Sequence, residues 1–123
     1  MFHRWRERTL HEGVCGRGTV VDASQEVLYM RMAPTEPFEY ERTIQVKFPD
    51  GSTSEALESI PLHRVQQLAD RRTIDCWPQL AERTKLGATV PVRYDEWDHS
   101  HIVLDLPALI EEILSSLDGS ANA

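Results

Sequence analysis

The sequence predicts an all-β or β-rich α+β fold: a small antiparallel β-barrel with peripheral helices and one amphipathic helix at the C-terminus. The clearest observation is the segment from Phe38 to Phe48, in which apolar and polar side chains alternate over eleven residues. Alternation of this kind is typical of a half-buried strand, because successive side chains on a strand point to opposite faces. Shorter β-branched segments separated by turn signals lie on both sides of it, and they favour a sheet or barrel over alternating βαβ units.

The length of 123 residues predicts one domain with its own core. Such a domain would enclose a barrel of the size of an OB or SH3 domain. We expect the single domain, 1–123, to consist of an N-terminal arm or short helix at 1–12, a β-rich body at 14–105 with a helical insertion near 60–86, a helix at 106–118 and a tail at 119–123.

Neither a secretory signal nor a membrane span is predicted. The N-terminus, MFHRWRERTLHEG, carries charges but no apolar segment. No apolar run approaches the roughly 18 residues that a membrane helix needs. The expected compartment is therefore the cytoplasm, where Cys15 and Cys76 would be reduced thiols, although a disulfide between them stays open from the sequence alone.

Acidic side chains concentrate at the end of this acidic chain. The net charge is −7, and residues 1–93 contain 13 acidic and 13 basic side chains. Residues 94–123 contain seven acidic side chains and neither Lys nor Arg. A nucleic-acid partner requires positive charge to offset its phosphates, so the overall balance argues against such a partner. Solubility is the simplest role for the acids.

The strands are predicted from short segments bounded by turn residues. The sequence PDGS, after Phe48, predicts a hairpin turn in which Gly51 follows Asp50. Around it the predicted strands are GTVVDA, EVLYMRM, FEYERTIQVKF, TSEALESI, ATVPVRY and HIVLD, with a break at Pro34 and Pro37 and with DEWDHS as the turn between the last two.

The helices are predicted from apolar spacing and cap residues. Residues 1–12 are predicted to form an arm or a short helix that would place Phe2, Trp5 and Thr9 on one side. The middle is less regular: a helix capped by Ser59 with Pro61 in its first turn, a short strand from Thr73 to Trp77 ended by Pro78, and a further helical turn stopped by Gly87.

The C-terminal helix has the clearest helical pattern. Asp105 is its predicted cap, Pro107 lies in its first turn and Gly119 is its predicted stop. Its apolar stripe runs through Leu106, Leu109, Ile110, Ile113, Leu114 and Leu117. This stripe either docks on the sheet of its own domain or pairs with a second chain. For the second case the predicted partner-binding residues are Ile110, Ile113, Leu114 and Leu117.

The segment from Val90 to Asp105 raises two chemical hypotheses. His99 and His101 form an H-x-H pattern, and on a strand both rings could reach one metal ion with Asp95 or Asp98 as a further ligand. Asp95, Glu96 and Asp98 could also do acid–base chemistry. Against both, a closed zinc site needs four ligands, and catalytic carboxylates need an enclosing cleft, whereas this segment is predicted to be an exposed turn.

Two further hypotheses concern cysteine and tryptophan. Cys15 could be a nucleophile with a histidine as its base, but no flanking signature supports this, and an unreactive thiol is the simpler interpretation. The glycines of GVCGRG do not predict a phosphate loop, because a strand rather than a helix follows them. A nucleic-acid-binding OB-like barrel would stack bases on Trp5, Trp77 and Trp97 and contact phosphates through Arg4, Arg6, Arg8 and Arg17.

Three segments resemble bacterial domains of the DUF3592-like class. GRGTVVDA contains Gly18-Thr19-Val20, ERTIQVKFPDGS contains Val46 to Gly51, and LGATVPVRYDEWDHSHIVLD contains Gly87 to Ser100. The match covers about half of the chain, in pieces, and Glu96 and His99 stand where the family pattern has prolines. The resemblance implies a small β-barrel without a known catalytic residue or cofactor, and many such domains lie beside membrane helices or helical oligomerisation segments.

The sequence thus predicts a protein that is not an enzyme and has a protein–protein interaction or assembly role. No cofactor, catalytic residue or metal ligand is assigned. The expected partner is a protein or a second copy of the chain, bound through the C-terminal helix. The alternatives that stay open are the single-stranded nucleic-acid-binding barrel and a metal-dependent enzyme or metal-binding protein that uses His99 and His101.

Overall fold

The computed structural model describes residues 4–23, 26–28 and 37–121. The predictions for Phe2, for Pro34 and for the second half of EVLYMRM lie outside these residues. In chain order the elements are α1 (Arg4–Glu12), β1 (Val14–Asp22), β2 (Glu26–Leu28), β3 (Pro37–Lys47), β4 (Thr53–Pro61), α2 (Leu62–Ala69), a 3-10 turn (Asp70–Arg72), α3 (Thr73–Arg83), β5 (Thr89–Tyr94), β6 (Ile102–Leu104) and α4 (Leu106–Ala121).

Five strands form a nearly closed antiparallel barrel, which confirms the predicted fold class. β1 lies between β3 and β5, with Thr19 opposite both Gln45 and Thr89. β4 pairs with the other edge of β3, and β6 pairs with the other edge of β5. Because every paired neighbour is antiparallel, β4 and β6 run parallel to each other, and they meet where the barrel closes. The short strand β2 adds to β3.

The predicted alternation of β3 is confirmed by its burial. Tyr40, Ile44, Val46 and the following Phe48 are buried. Arg42 is buried as well, although its charge interrupts the apolar face. Its Nε donates to the carbonyl oxygen of Thr84 at 2.8 Å, which fastens the segment after α3 to the barrel. A buried guanidinium is tolerated when its donors are satisfied in this way.

The β3–β4 turn forms as its sequence predicts. Gly51 has a φ of 88°, a conformation that side-chain-bearing residues adopt only with strain. Asp50 Oδ1 accepts hydrogen bonds from the backbone N–H of Ser52 at 2.8 Å and from its hydroxyl at 2.5 Å. The turn therefore leads directly into β4, which pairs with β3 from Thr53 to Pro61.

The middle of the chain departs from prediction. Ser59, the predicted helix cap, lies in β4, and Pro61 directly precedes α2. The predicted strand from Thr73 to Trp77 is wrong: α3 runs through it to Arg83 with Pro78 inside the helix. The reason is burial at helical spacing, because Cys76, Trp77 and Leu80 all face the core.

Predictions for α4 are confirmed at its start and wrong at its end. Asp105 Oδ1 accepts a hydrogen bond from the backbone N–H of Ala108 at 3.2 Å, and Pro107 lies in the first turn. Gly119 does not stop the helix, which runs to Ala121. A helical glycine lowers helix propensity but does not terminate a helix by itself.

The apolar stripe of α4 packs mainly inside its own domain. Ile110 and Ile113 are 2% and 1% exposed, and Leu106 and Leu109 are also buried. Leu114 and Leu117 are only partly buried against the core. α4 contacts α2, α3 and β5. Of the four predicted partner-binding residues, Leu114 and Leu117 therefore keep surface that a partner could reach, whereas Ile110 and Ile113 do not. Within the described ranges, no helix is long and apolar enough to cross a membrane.

Candidate functional site

The β5–β6 turn is shaped by two aspartates. Asp95 Oδ1 accepts a hydrogen bond from the backbone N–H of Trp97 at 2.8 Å. Asp98 Oδ1 accepts one from the backbone N–H of Ser100 at 3.0 Å and one from the Ser100 hydroxyl at 2.5 Å. These bonds, the hydroxyl first, lower the pKa of Asp98. Two backbone bonds to and from His101 close the turn. Two of the three predicted acid–base carboxylates thus serve the turn itself.

The two histidines of the turn have separate aromatic partners. His99 stacks on Phe48 with ring centroids 3.7 Å apart. His101 stacks on Trp5 of α1 with centroids 4.2 Å apart. The pair is therefore not arranged as two ligands of one ion. In the part of the chain that the structure describes, no group of three or more His, Cys, Asp and Glu side chains is placed to hold a metal.

His101 connects the turn to α1. Its Nε2 lies 3.4 Å from Asp98 Oδ2, and its Nδ1 lies 4.0 Å from Asp95 Oδ2. Nδ1 is buried and has no hydrogen-bond partner among the described residues. Trp5 of α1 stacks on the face of the His101 ring, so this aromatic contact joins α1 to the turn.

The C-terminal end of α1 is also fixed in place. Arg93 Nη1 donates to the carbonyl oxygen of Gly13 at 3.0 Å, and Arg93 Nε donates to Asp105 Oδ2 at 3.2 Å. A Cβ atom on Gly13 would lie 2.9 Å from the backbone oxygen of Tyr94, so only glycine permits this approach of the chain to β5. α1 therefore lies in a defined position beside the turn.

A cavity of about 470 Å³ lies between α1 and the turn. The two elements form its walls, and Trp97 stands at the turn with 89% of its surface exposed. An indole held this far into water is unusual, because large aromatic side chains gain most from burial. The residues that line the cavity include Arg8, Thr9, Glu12, Asp95, Glu96 and Trp97.

A buried glutamate joins the two strands at which the barrel closes, β4 and β6. Glu58 of β4 is 3% exposed, and its Oε1 accepts a hydrogen bond at 2.6 Å from the backbone N–H of Leu104 in β6. Its Oε2 lies 2.6 Å from Nη2 of Arg6 in α1. Glu58 was not among the sequence-predicted site residues. The signal that could have found it was its place between Ala56 and Ile60 on the inner face of β4, where an acid requires a partner.

The residues of the nucleic-acid hypothesis are dispersed and largely engaged. Arg6, Arg8 and Arg17 form ion pairs with Glu58, Asp95 and Glu112, respectively. Trp77 is buried and stacks on Tyr40, and Trp5 stacks on His101. The outward side chains along β3 include Glu39 and Glu41. Arg4 forms no ion pair or hydrogen bond with another described residue, and it lies with Trp5, Glu7 and Glu12 around one surface cavity. Acidic side chains therefore accompany the free arginine there, unlike in the positively charged groove that binds a single strand.

Both cysteines are free thiols. Cys15 is exposed on β1, in register with Arg93, and Cys76 is buried in α3. Burial raises the pKa of the Cys76 thiol, so this thiol is not activated as a nucleophile. GVCGRG lies mostly within β1, so the strand begins at Val14, four residues before the start of the predicted strand GTVVDA.

Fold and site together define a small β-barrel domain that presents one exposed tryptophan beside a cavity. No family model matches the chain, and neither a curated protein nor a solved structure matches it.

Proposed function

We propose that this chain is a non-enzymatic β-barrel domain that binds another protein, with Trp97 as the anchor of the contact. The observation that carries the proposal is the exposure of Trp97, 89%, at the tip of a turn whose backbone is held by Asp95 and Asp98. Tryptophan is among the residues that most often dominate the energy of protein interfaces. A side chain presented on a rigid turn also loses little conformational entropy when it binds.

The alternatives receive less support from the same geometry. A metal-dependent role for His99 and His101 would need converging ligands, whereas their rings stack on Phe48 and Trp5. A nucleic-acid-binding role would need free cationic side chains near the exposed indole, whereas Glu12, Asp95 and Glu96 surround it together with Arg8.

Assembly through α4 remains the second candidate. Leu114 and Leu117 are the residues of its stripe that keep accessible surface, and they support a smaller contact than the whole stripe would. Truncation after Asp105 cannot test this, because it would remove the buried Leu109, Ile110 and Ile113. The proposal also includes kinship with DUF3592-like domains and a cytoplasmic location.

Selection of peptides from a phage-displayed random library on the immobilised protein tests the proposal. Peptides enriched on the wild-type chain should bind Trp97→Ala about thirtyfold more weakly, as expected for an interface anchor worth ~2 kcal/mol. Ile74→Ala is the matched control, because Ile74 is 85% exposed on α3 and lies outside the cavity. Equal binding to Trp97→Ala and wild type, or a selection that enriches no peptide, would contradict the proposal.

A further inference from the structure

The cavity beside Trp97 contains negative charge that the fold itself does not use. Asp95 is engaged with the backbone of the turn, and Arg8 Nη2 lies 3.9 Å from Asp95 Oδ2, so these two charges offset each other. Glu12 and Glu96 are exposed on opposite walls, and neither forms a hydrogen bond or ion pair with another described residue. The cavity therefore presents two uncompensated carboxylates.

The exposed indole adds a second attraction for positive charge. The face of a tryptophan ring carries negative electrostatic potential, and among the aromatic side chains it binds cations best. Neither cation–π contact among the described residues involves Trp97; both lie elsewhere, at Trp5 and Tyr40. The ring is thus open to a cation that arrives with a ligand.

Thr9 supplies a third, independent observation. It lines the same cavity and is 3% exposed, and its hydroxyl has no hydrogen-bond partner among the described residues. Buried polar groups are normally paired, so an unpaired hydroxyl next to a cavity indicates a group that a ligand completes. Its oxygen is covered in the free protein, and after a rotation of the side chain it can accept a hydrogen bond from a cationic N–H donor in the cavity.

We infer that the cavity binds the side chain of an arginine in the partner protein. Guanidinium is the cation that best matches these three features, because it is planar, stacks on aromatic faces and donates to carboxylates in two directions. Glu12 and Glu96 flank it, Trp97 stacks on it and Thr9 accepts one of its N–H groups. A volume of about 470 Å³ also leaves room for flanking backbone. The inference rests on the proposed function and specifies its ligand chemistry.

Nuclear magnetic resonance of the whole chain tests this with N-acetyl-arginine amide as the probe. The indole Nε1–H signal of Trp97 is assigned by its loss in Trp97→Phe. It should shift saturably with the arginine amide and stay in place with N-acetyl-citrulline amide, which has nearly the same shape but no charge. The double variant Glu12→Gln, Glu96→Gln should bind the arginine amide about fivefold more weakly, the effect of removing two surface charge contacts.

A matched control and two contrary outcomes make the test decisive. Glu111→Gln, at an exposed position on α4 outside the cavity, should leave the affinity unchanged. Equal shifts with the arginine and citrulline amides, or no shift with either, would overturn the inference. If library peptides then depend on Trp97 but contain no arginine, the protein-binding proposal stands and the arginine site alone fails. If the peptides do not depend on Trp97, the proposal itself fails.

Discussion

The β3–β4 and β5–β6 turns, at one end of the barrel, use the same local hydrogen bonding but differ in what they present. In each, an aspartate accepts hydrogen bonds from the N–H and the hydroxyl of the serine two residues later, Asp50 from Ser52 and Asp98 from Ser100. The turns lie side by side, because Phe48 at the base of the first stacks on His99 of the second. One turn only reverses the chain, whereas the other also presents Trp97.

The hairpins that carry these turns differ in what supports them. β3 and β4 pair through nine residue pairs, whereas β5 and β6 pair through three, so the second hairpin depends on contacts from elsewhere. Glu58 of β4 binds the backbone of β6. From α1, Trp5 stacks on His101 of the turn and Arg6 pairs with Glu58. The hydrogen bonds of the turn therefore explain the presence of Asp95, Asp98 and Ser100. They require neither Glu96 nor the exposed indole of Trp97.

The largest expected effect comes from removing the side chain that supports the second hairpin. Glu58→Ala leaves the backbone N–H of Leu104 without an acceptor and Arg6 without its carboxylate. The free energy of unfolding in urea should fall by about 2–4 kcal/mol. This loss is smaller than the loss expected for a fully buried ion pair, because Arg6 is partly exposed. Hydrogen exchange at the Leu104 amide should accelerate more than exchange in β3.

Two control variants separate charge from hydrogen bonding. Glu58→Gln keeps an acceptor for Leu104 and should lose about half as much stability. Glu55→Ala, at an exposed position on the same strand, should change stability by less than about 0.5 kcal/mol. A loss below about 1 kcal/mol for Glu58→Ala would mean that β6 holds its place without this side chain.

The same contrast explains which parts of the molecule could be predicted from sequence. β3, β4 and their turn were predicted because alternation and the Asp50–Gly51 pair are local signals. α3 was missed because Thr73, Ile74 and Pro78 suggest strand and break, while the burial of Trp77 and Leu80 that decides the matter depends on the rest of the core.

The candidate site was predicted only in part, for a similar reason. The segment around Trp97 stood out from its composition, yet the other cavity wall comes from Thr9 and Glu12 in α1, far away in the chain. For α4, the prediction gave the partner too much of the apolar stripe. Helical periodicity indicates that one face is buried, but it does not tell whether the same domain or a second chain buries it. Ile110 and Ile113 pack within their own domain.

A smaller effect is expected at the glycine that only the first turn contains. Gly51 has a φ of 88°, and a Cβ atom at this position would meet nothing within 4 Å. Gly51→Ala should therefore strain the backbone without causing a clash with neighbouring atoms. Stability should fall by about 1 kcal/mol, measured by thermal or urea unfolding. Gly119→Ala is the matched control, because Gly119 is also uncrowded but lies in α4, where alanine should be neutral or stabilising. An unchanged unfolding midpoint for Gly51→Ala would indicate that the turn rearranges.

The smallest effect is on the titration of the two turn aspartates. The pKa values of Asp50 and Asp98 are both lowered, first by the serine hydroxyl. A lowered pKa means that the stability these carboxylates contribute is complete above the pKa of an unfolded aspartate and is lost as the pH falls through the folded-state pKa. Ser52→Ala should raise the pKa of Asp50, and Ser100→Ala that of Asp98, in carboxyl-carbon NMR titrations. Both shifts should be incomplete, because the serine backbone N–H remains and also lowers each pKa. His99 lowers the pKa of both aspartates, whereas His101 lowers only that of Asp98. If Ser100→Ala restored the ordinary pKa of Asp98 in full, neither the Ser100 backbone N–H nor the two histidines would contribute, and the hydroxyl alone would set the pKa in the second turn.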